Sequence, residues 1–411
     1  MHVLVVSQYF WPEEFRVNDL VAELVERGHR VTVLTGTPNY PLGVTFPDYA
    51  RHPDRFASYA GAQIVRVPLV PRGSSALRLM LNYASFVLTA CTLGIWKLRK
   101  IRFDVIFGPQ LSPVTAMLPA VLLRRLRRRK FAMWVLDLWP DTLVALNVIK
   151  SSIVLKMVGR LTGLIYNRTD RLFVQSASFV PKIREWAKPT IEPEFLPNWS
   201  ERFPDLANAA LPRAIPAALP GTFTIMFAGA VGEAQDFPTI LQAASELRDE
   251  PGLRWIVVGD GRESDWVIDE IARRDLANVI MAGRHPVSAM PSFYRAADAM
   301  LVSLKAAPLF AMTIPGKVQS YFAAGMPVIA MLDGEGGRVV EEAGAGVRVA
   351  AGDTAGLVAA VRRLMAMPRD ELAALGRAAR DYSDQHFDRT TLIDRVEQAL
   401  ETLSASAKDG S

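Results

Sequence analysis

The chain alternates short apolar runs with amphipathic helical patterns along nearly its whole length. The apolar runs are almost continuous, and this pattern predicts strands that are buried on both faces, as in a parallel sheet. They lie at residues 2–7, 30–35, 63–67, 105–108, 131–136 and 171–175, and again at 223–228, 254–259, 279–282, 300–304, 328–331 and 346–349. We therefore predict an α/β fold with two doubly wound domains, each built on its own parallel sheet.

A proline-rich interval separates the two halves. Residues 197–220 contain five prolines, which is more typical of a linker than of a core. We predict an N-terminal domain over residues 1–200, a linker over 201–221 and a C-terminal domain over 222–385. Helical patterns follow over residues 354–367, 369–383 and 389–403, and we expect the tail, residues 404–411, to be disordered.

The charge is unevenly distributed. Residues 1–200 contain 26 Lys and Arg against 14 Asp and Glu, whereas residues 201–411 contain 21 against 28. A basic first half suggests an anionic partner, and membrane phospholipid, a phosphorylated substrate and plain solvated surface all fit. Nucleic acid is disfavoured because the basic runs lack interleaved aromatic residues. The single cysteine, Cys91, excludes a disulfide framework, and the five histidines show no metal-ligand spacing, so no metal is expected.

The segment 79–96 is apolar enough to raise the question of a membrane span. It is uncharged, but its polar residues recur every three or four positions and therefore share one helical face. A span would also place the strands before and after it on opposite sides of a bilayer. We predict a long amphipathic helix that is either buried or lies on an anionic membrane surface, since the cation clusters at 97–102 and 124–130 adjoin apolar helices. The N-terminus lacks a signal-peptide pattern, so we expect a cytoplasmic protein at the inner face of the membrane.

Polar and aromatic residues follow several strands of the first half. Ligands of doubly wound sheets bind beyond the carboxyl ends of the strands, so these residues are candidates for substrate contacts. The loop after the first strand lacks a dinucleotide-binding glycine pattern, which disfavours a nicotinamide or flavin enzyme. The candidates are Trp11, Glu13, Glu14, Asn39, Tyr40, Trp139 and Asp141, together with Asp137. For Asp137 a functional and a structural role are equally compatible with the sequence, and Asp141 also suits a helix N-terminus.

The second half offers candidates for phosphate binding. Gly229 and Gly232 follow its first strand and permit a close backbone approach to a diphosphate. Arg284 and His285 follow the third strand. After the strand at residues 300–304, the stretch from Pro308 to Ile329 predicts a loop and then a helix that starts near Gly316 with Lys317 in its first turn. A helix start that follows a strand and a loop in this way suits a phosphate. An ordinary helix with Pro before it and Gly after it explains the same residues.

Several motifs occur in an order that resembles one large enzyme family. They are Gln8-Tyr-Phe-Trp-Pro-Glu13, Arg27-Gly-His-Arg-Val-Thr-Val33, Pro38-Asn-Tyr-Pro-Leu-Gly43, Asp137-Leu-Trp-Pro-Asp141, Leu196-Pro-Asn198, Val258-Gly-Asp-Gly261 and the stretch from Pro308 to Ile329. With these motifs the whole chain resembles the retaining, nucleotide-sugar-dependent glycosyltransferases of family 4, which have the GT-B fold. It looks most similar to the bacterial branch that builds O-antigen, capsule and colanic-acid-type exopolysaccharide, including N-acetyl-fucosamine transferases.

The resemblance implies two Rossmann-like domains that face each other across a cleft, with a helix over residues 386–403 returning to the N-terminal domain. It implies sugar transfer from a UDP-, GDP- or dTDP-sugar, with retention and without a metal or cofactor. The basic, apolar surface of the first half would place such an enzyme beside an acceptor linked to undecaprenyl diphosphate, on the acceptor side formed by Trp11, Glu13, Glu14, Asn39, Tyr40, Trp139 and Asp141. The catalytic residues would be Asp137 and Lys317. The donor would be held by Gly229, Gly232, Arg284, His285, Lys305, Ala311, Met312, Thr313, Ile314, Gly316 and Gln319.

The chain departs from the family pattern at two places. The family's paired glutamates fall on Ala311 and Gln319, and the Arg/Lys pair after the first strand of the second domain is replaced by Glu233-Ala-Gln-Asp236. Lys317, with Lys305 in reserve, is then the expected cation for the leaving diphosphate. A nucleotide-sugar 2-epimerase of the same fold and a non-catalytic scaffold are alternative interpretations.

Overall fold

The computed structural model describes residues 1–73, 75–145, 149, 151–203, 206, 209–212, 214–216 and 221–409. The chain divides into two compact units. Unit 1 comprises Met1–Leu196 and Thr390–Ser411, and unit 2 comprises Pro197–Arg389. Part of the predicted linker therefore lies outside the described residues.

Unit 1 is built on an eight-stranded sheet with helices on both faces. Its strands are β1 (His2–Val6), β2 (Arg30–Gly36), β3 (Ser58–Tyr59), β4 (Ala62–Val67), β5 (Val105–Gln110), β6 (Lys130–Val135), β7 (Arg171–Val174) and β8 (Pro193–Phe195). Its helices before the linker are α1 (Arg16–Glu26), α2 (Pro47–Arg51), α3 (Ala76–Thr89), α4 (Ile95–Lys97), α5 (Leu118–Arg127), α6 (Asp141–Ala145), α7 (Ser152–Tyr166) and α8 (Phe179–Arg184). The strand order is β3-β4-β2-β1-β5-β6-β7-β8, and all neighbours are parallel except β3 and β4.

Unit 2 is built on a six-stranded, fully parallel sheet in the order β11-β10-β9-β12-β13-β14. Its strands are β9 (Phe223–Ala228), β10 (Leu253–Val258), β11 (Val279–Gly283), β12 (Ala299–Ser303), β13 (Val328–Met331) and β14 (Gly346–Val349). Its helices are α9 (Phe237–Glu246), α10 (Ser264–Arg273), α11 (Met290–Arg295), α12 (Pro308–Ala311), α13 (Gly316–Ala323), α14 (Gly334–Glu342), α15 (Thr354–Met365) and α16 (Arg369–His386). The last helix of the chain is α17 (Arg389–Asp409).

Both faces of each sheet are covered, as the apolar runs predicted. In β9, Ile225 and Phe227 pack into the core beneath α9 and α15, while Met226 and Ala228 pack into the core beneath α13. Successive side chains of a strand point to opposite faces, so an unbroken apolar run requires a helical layer on each side. All twelve predicted strands are present, and the prediction of two doubly wound domains is confirmed. The short edge strands β3 and β8 were not predicted because they are too brief to show a pattern.

The helices of unit 1 form two layers, one on each face of the sheet. Right-handed crossovers place α1, which joins β1 to β2, on one face, and place α3, α5 and α7 on the opposite face. The last helix packs on the α1 side, where Arg27 forms ion pairs with Asp394 and Glu397, both 2.5 Å long. The prediction that the final helix returns to the N-terminal domain is thus confirmed.

The tail differs from its prediction. Residues 404–409 continue α17, whereas a disordered tail was expected from residue 404. The sequence between Leu403 and Asp409 contains no Gly or Pro and includes two alanines, so nothing in it stops a helix that is already formed. Residues 410 and 411 lie outside the described part of the chain.

The predicted amphipathic helix at 79–96 is longer than expected. Helical structure runs from α3 through a π-helical turn at Ala90–Gly94 and then α4, and it ends in a 3-10 turn at Leu98–Lys100. Within the described residues, Leu77–Lys100 is the single helix that is long and apolar enough to cross a membrane, judged by length and composition, with a mean hydropathy of 1.5. The strands that flank it, β4 and β5, lie in one sheet, which argues for a helix packed on that sheet.

Candidate functional site

The strand order of unit 2 reverses between β9 and β12. Strands β10 and β11 lie on one side of β9, and β12 to β14 lie on the other. Ligands of doubly wound sheets bind at such a switch point, beyond the carboxyl ends of the strands. Gly229 directly follows β9, and α13 with Lys317 follows β12, so the switch point joins two of the predicted donor-binding residues.

A buried tyrosine fixes the position of α13. The Tyr321 hydroxyl donates to the carbonyl of Ala228 at 3.1 Å and accepts from its backbone N–H at 3.0 Å. Because Lys317 lies one turn before Tyr321, these bonds bring the start of α13 to the end of β9. Tyr321 was not predicted as a site residue, since a tyrosine in an apolar helical stretch has no distinguishing local pattern.

The Lys317 side chain lies against Gly229. A Cβ atom at position 229 would come within 2.3 Å of Lys317 Cε, and the φ angle of Gly229 is +146°, so only glycine fits there. The ammonium lies 4.8 Å from the centre of the Phe227 ring. Burial lowers the pKa of Lys317 to about 8. No carboxylate of the described residues forms an ion pair with it, so its charge is available to an anion.

The amide of Gln319 is buried without a partner. The residue is 0% exposed, and neither Oε1 nor Nε2 has a hydrogen-bond partner among the residues that the structure describes. A buried amide without a partner costs free energy, and native proteins seldom retain one without a reason. Gln319 occupies the third position after Gly316 at the start of α13, beside the lysine, and this places an unused donor and an unused acceptor at the switch point.

The segment before α13 packs closely on the start of α14. A Cβ at Gly334 would lie 2.0 Å from the carbonyl oxygen of Ala311, and a Cβ at Gly336 would lie 2.8 Å from Pro315 Cδ. The Thr313 hydroxyl donates to the carbonyl of Leu309 within the chain's own turn, at 3.0 Å. This close packing fixes the backbone of the segment. It contains Ala311, Met312, Thr313 and Ile314.

The remaining donor-side candidates lie further along the same edge. Arg284 and His285 follow β11, two strands from β9, which corresponds to about 10 Å between strand axes. The centre of the His285 ring lies 4.6 Å from that of the Phe293 ring, and the two ring planes are tilted by 48°. Lys305 forms an exposed ion pair of 3.3 Å with Glu233, directly after Gly232. Lys305 is therefore partnered, unlike Lys317.

The carboxylate of Glu13 in unit 1 is buried and is hydrogen-bonded to the backbone. Its carboxylate accepts from the backbone N–H groups of Phe10 (3.1 Å), Asn39 (2.8 Å) and Tyr40 (2.7 Å). Burial raises the pKa of Glu13 to about 7, although these three bonds oppose the rise. The carboxylate thus joins the loop after β1 to the loop after β2. Its neighbour Glu14 is exposed.

Asn39 belongs to a buried polar network. Its Oδ1 accepts from the backbone N–H of Arg72 at 2.9 Å and from Asn82 Nδ2 at 3.3 Å. Asn82 also accepts from Gln8 Nε2 at 2.7 Å. The network joins α3 to the loops after β1, β2 and β4. Gln8 and Asn82 were not predicted, because their meeting depends on segments 74 residues apart.

The aromatic candidates of unit 1 pack among themselves. The Trp11 ring lies 5.0 Å from Phe56 and 5.4 Å from Tyr59. Tyr40 lies 5.3 Å from Phe15 and 5.6 Å from Tyr9, and these three rings form a second aromatic cluster at the edge of the sheet.

Asp137 organises its own loop. Its two oxygens accept from the Thr142 hydroxyl at 2.5 Å and from the Trp139 indole N–H at 3.2 Å. Asp141 lies in the first turn of α6 and is 3.5 Å from the Lys182 ammonium. The structure brings Asp137, Trp139 and Asp141 together, and it gives each of them a partner within unit 1.

One group of side chains in the described residues could hold a metal ion. It consists of His29, Glu397 and Glu401, with ligand atoms within 4.8 Å of one another. His29 Nε2 and Glu397 Oε1 are already 2.5 Å apart, and Glu397 also binds Arg27. This group holds α17 to the α1 side and does not include any of the predicted site residues.

Both halves of the chain match families of glycosyltransferases. Residues 14–199 match the glycosyl transferase 4-like domain, and residues 222–367 match the glycosyl transferases group 1. Together they cover more than three quarters of the chain. The chain therefore belongs to the family 4 glycosyltransferases with the GT-B fold, as its motifs predicted.

Individual relatives agree with this assignment. The chain is 26% identical over 412 residues to WcaI of Escherichia coli (strain K12), a protein with a proposed role as a colanic acid biosynthesis glycosyl transferase, and the alignment covers 96% of this chain and 98% of WcaI. Among solved structures, sucrose-phosphate synthase from Thermosynechococcus elongatus is similar with a TM-score of 0.72 at 16% identity, over 98% of this chain and 99% of that one. Anabaena Alr3699/HepE in complex with UDP and glucose gives 0.66 at 14% identity, over 97% and 99%.

Proposed function

We propose that this glycosyltransferase moves a hexosyl residue, of which deoxy and acetamido sugars are the first to test, from a nucleoside-diphosphate sugar to a lipid-linked glycan in cell-surface polysaccharide synthesis. The observation that carries the proposal is the switch point of unit 2, where Lys317 has no carboxylate partner and Gln319 has no hydrogen-bond partner among the described residues. A cation and a helix start at this position suit the diphosphate of a donor. The likeness to WcaI supports the polysaccharide pathway.

In the proposed reaction, the bond between the anomeric carbon and the diphosphate oxygen breaks while the acceptor oxygen bonds to the same face of that carbon. The electron pair goes to the leaving diphosphate, whose charge Lys317 and the N–H groups at the start of α13 stabilise. The diphosphate takes the proton of the acceptor hydroxyl. This route retains the anomeric configuration, needs no protein nucleophile and calls for neither a metal nor another cofactor.

We further propose that unit 1 lies on the cytoplasmic face of an anionic membrane. Only 22% of the most apolar window of Leu77–Lys100 is buried, although its mean hydropathy is 1.5. Several apolar side chains on α3 and α7 are more than 60% exposed, namely Leu77, Met80, Leu88, Ile153 and Met157. Exposed apolar surface of this extent indicates an interaction site.

The charge of the same helical layer fits an anionic surface. Residues 76–100, 118–130 and 152–166 contain twelve Lys or Arg and no Asp or Glu. The cations follow apolar residues in each helix, which is the arrangement expected for a helix that lies on acidic phospholipid. An enzyme held there would meet a lipid-linked acceptor at the bilayer surface.

A ligand screen tests the donor half of this proposal. The melting temperature of the whole chain is measured with UDP-, GDP- and dTDP-sugars, with UDP-glucose first because HepE was solved with UDP and glucose. We expect one nucleotide class to raise the melting temperature of the wild-type chain and to leave that of Lys317→Ala unchanged. Absence of any shift in the wild type would favour the scaffold interpretation, and rapid epimer formation without acceptor would favour the epimerase.

With the donor identified, the anomeric configuration of the product is read by NMR. Retention is expected, and an inverted product would overturn the proposed front-face reaction.

Sedimentation with vesicles of phosphatidylglycerol, compared with neutral phosphatidylcholine vesicles, tests the proposal that unit 1 binds an anionic membrane. We expect binding to the anionic vesicles alone, and equal sedimentation with both would contradict the charge argument.

A further inference from the structure

Arg72 lies between β4 and α3, near the switch point of unit 1. Strands β2 and β4 lie on one side of β1, and β5 to β8 lie on the other, so the order of this sheet reverses between β1 and β5. The backbone N–H of Arg72 donates to Asn39 Oδ1 at 2.9 Å, and Asn39 is in turn bound by Asn82. The backbone of Arg72 is therefore held in place by the buried polar network.

The guanidinium of Arg72 lies among aromatic side chains. Its Cζ atom is 5.4 Å from the centre of the Tyr40 ring, which itself packs against Tyr9 at 5.6 Å. Burial raises the pKa of both Tyr9 and Tyr83, and the charge of Arg72 opposes the rise at each of them. The two phenol groups therefore lie close to the guanidinium, and Tyr83 also bonds to Ser112 in the loop after β5.

No carboxylate of the described residues forms an ion pair with Arg72. Other arginines of unit 1 do form such pairs: Arg124 with Asp170 at 2.7 Å and Arg171 with Glu194 at 2.5 Å. The charge of Glu13 raises the pKa of Tyr9, and that of Asp137 raises the pKa of Tyr83. Both carboxylates already accept hydrogen bonds, Glu13 from three backbone N–H groups and Asp137 from Thr142 and Trp139. Arg72 thus holds a partly buried positive charge that donates a hydrogen bond to the Tyr9 hydroxyl but has no carboxylate partner among the described residues.

We propose that Arg72 binds an anionic group of the acceptor, with Tyr9, Tyr40 and Tyr83 forming the surrounding aromatic wall. A guanidinium binds phosphate or carboxylate through two parallel hydrogen bonds, and this geometry suits either the diphosphate of a lipid-linked acceptor or the carboxylate of an acidic sugar. The assignment of this anion to the acceptor rests on the proposed transferase function. The anion site itself rests on the charge, the rings and the fixed backbone alone.

The position of Arg72 in the chain supports an amphiphilic ligand. It stands a few residues before α3, whose exposed side chains include Leu77 and Met80. A ligand with an anionic group at Arg72 would therefore have apolar surface within reach along α3. A lipid diphosphate has this combination, whereas an acidic sugar would use the aromatic wall instead.

Titration calorimetry with matched probes tests the inference. Geranyl diphosphate is compared with geraniol, and methyl glucuronide with methyl glucoside, each at the same ionic strength. Because Lys317 also offers a cation for diphosphates, every titration is made in the Lys317→Ala chain, with and without Arg72→Gln. We expect one anionic probe to bind at least about tenfold more weakly when Arg72 is changed, the loss typical of a charge-assisted hydrogen bond.

Two variants control for charge and folding. Arg51→Gln removes the same charge from an exposed position in α2, which contains none of the proposed site residues, and should leave binding unchanged. Arg72→Lys keeps the charge but loses the planar fork, so its affinity should be intermediate, and its melting curve shows whether the site remains folded. If geranyl diphosphate responds to Arg72, the source is a lipid diphosphate; if the glucuronide responds, it is an acidic sugar.

The inference is overturned if Arg72→Gln binds both anions as tightly as its parent, or if each neutral probe binds as tightly as its anionic counterpart. Either result is separate from the fate of the proposed function. Melting shifts by sugar nucleotides depend on Lys317, so they would persist if only the Arg72 site is wrong. They would be absent, with Arg72-dependent anion binding retained, if only the transferase proposal is wrong.

Discussion

The carboxyl edges of the two sheets carry polar residues at equivalent places, but these residues differ in whether they are bonded within their own unit. In unit 1, Glu13 and Asp137 have all their oxygens occupied by groups of the same unit. In unit 2, Lys317 and Gln319 have no such partners among the described residues. Both edges would look alike in a count of polar residues at strand ends.

The difference distinguishes polar residues that hold the structure together from polar residues that are available to bind a ligand. A buried polar group that is fully bonded stabilises the loops it joins, and removing it leaves other groups unsatisfied. A buried polar group without a partner lowers stability, and its retention is explained by a ligand that completes it. In unit 1, Arg72 resembles Lys317 in one respect, since no carboxylate of the described residues forms an ion pair with it.

The largest effect is expected at Lys317. Lys317→Ala should reduce turnover by a factor of about 10² to 10³, because it removes the charge that stabilises the departing diphosphate. Initial rates with saturating donor give the comparison. Lys305→Ala is the matched control, since that lysine is exposed and paired with Glu233, and its rate should stay within about twofold. Equal rates for the wild type and Lys317→Ala would remove the lysine from the reaction.

The second effect concerns Glu13, which should matter for stability. Glu13→Ala leaves three backbone N–H groups without an acceptor and should lower the free energy of unfolding by about 3 kcal/mol or more. Denaturant unfolding measures it. Glu14→Ala, at the adjacent exposed position, should change stability by less than about 0.5 kcal/mol. A small loss in both variants would show that the Glu13 bonds do not hold the two loops.

The third effect is a pH dependence of donor binding. Burial lowers the pKa of Lys317 to about 8, so the free protein loses this charge above that pH, and donor affinity should then fall by up to about tenfold per pH unit. Lys317→Arg should bind without this fall, because its guanidinium stays charged.

The folding free energy should respond to pH in the opposite direction. Between about pH 8 and 10.5 the unfolded chain binds a proton at Lys317 that the native chain does not. Stability therefore rises with pH in that window through this group. Unfolding curves of the wild type and Lys317→Met at pH 8 and pH 10 isolate the contribution, and the absence of any difference would contradict the burial of the ammonium.

The smallest effect is expected from Gln319→Leu. Removing an amide that has no partner should leave the stability within about 1 kcal/mol of the wild type or raise it, while donor affinity falls by about tenfold. Melting temperature and donor titration of one preparation give both values. A large loss of stability would mean that the amide is bonded in solution and belongs with Glu13 rather than with Lys317.

Much of the fold was predictable because parallel strands produce apolar runs that are visible in the sequence. The start of α13 was equally visible, since Pro315 and Gly316 mark it locally. The contacts that define the two sites could not be predicted from the sequence. Lys317 meets Gly229 across 88 residues of chain, and Arg72, Tyr9 and Tyr83 come from three separate segments.

The sequence also could not distinguish a polar group that faces a ligand from one that faces backbone. Glu13 and Asp137 were predicted from their position at strand ends, and that position is correct. Whether their oxygens are free depends on the course of the loops around them, which hydrophobic periodicity does not determine. Trp139 illustrates the same limit, because its indole N–H binds Asp137.

The return of α17 to the first unit has a consequence for biosynthesis. Unit 1 contains residues from both ends of the chain, and unit 2 is a single continuous segment between them. On the ribosome, the amino-terminal sheet must wait for the whole of unit 2 to be translated before Asp394 and Glu397 can reach Arg27. The half of the protein that is made first is therefore the half that is finished last.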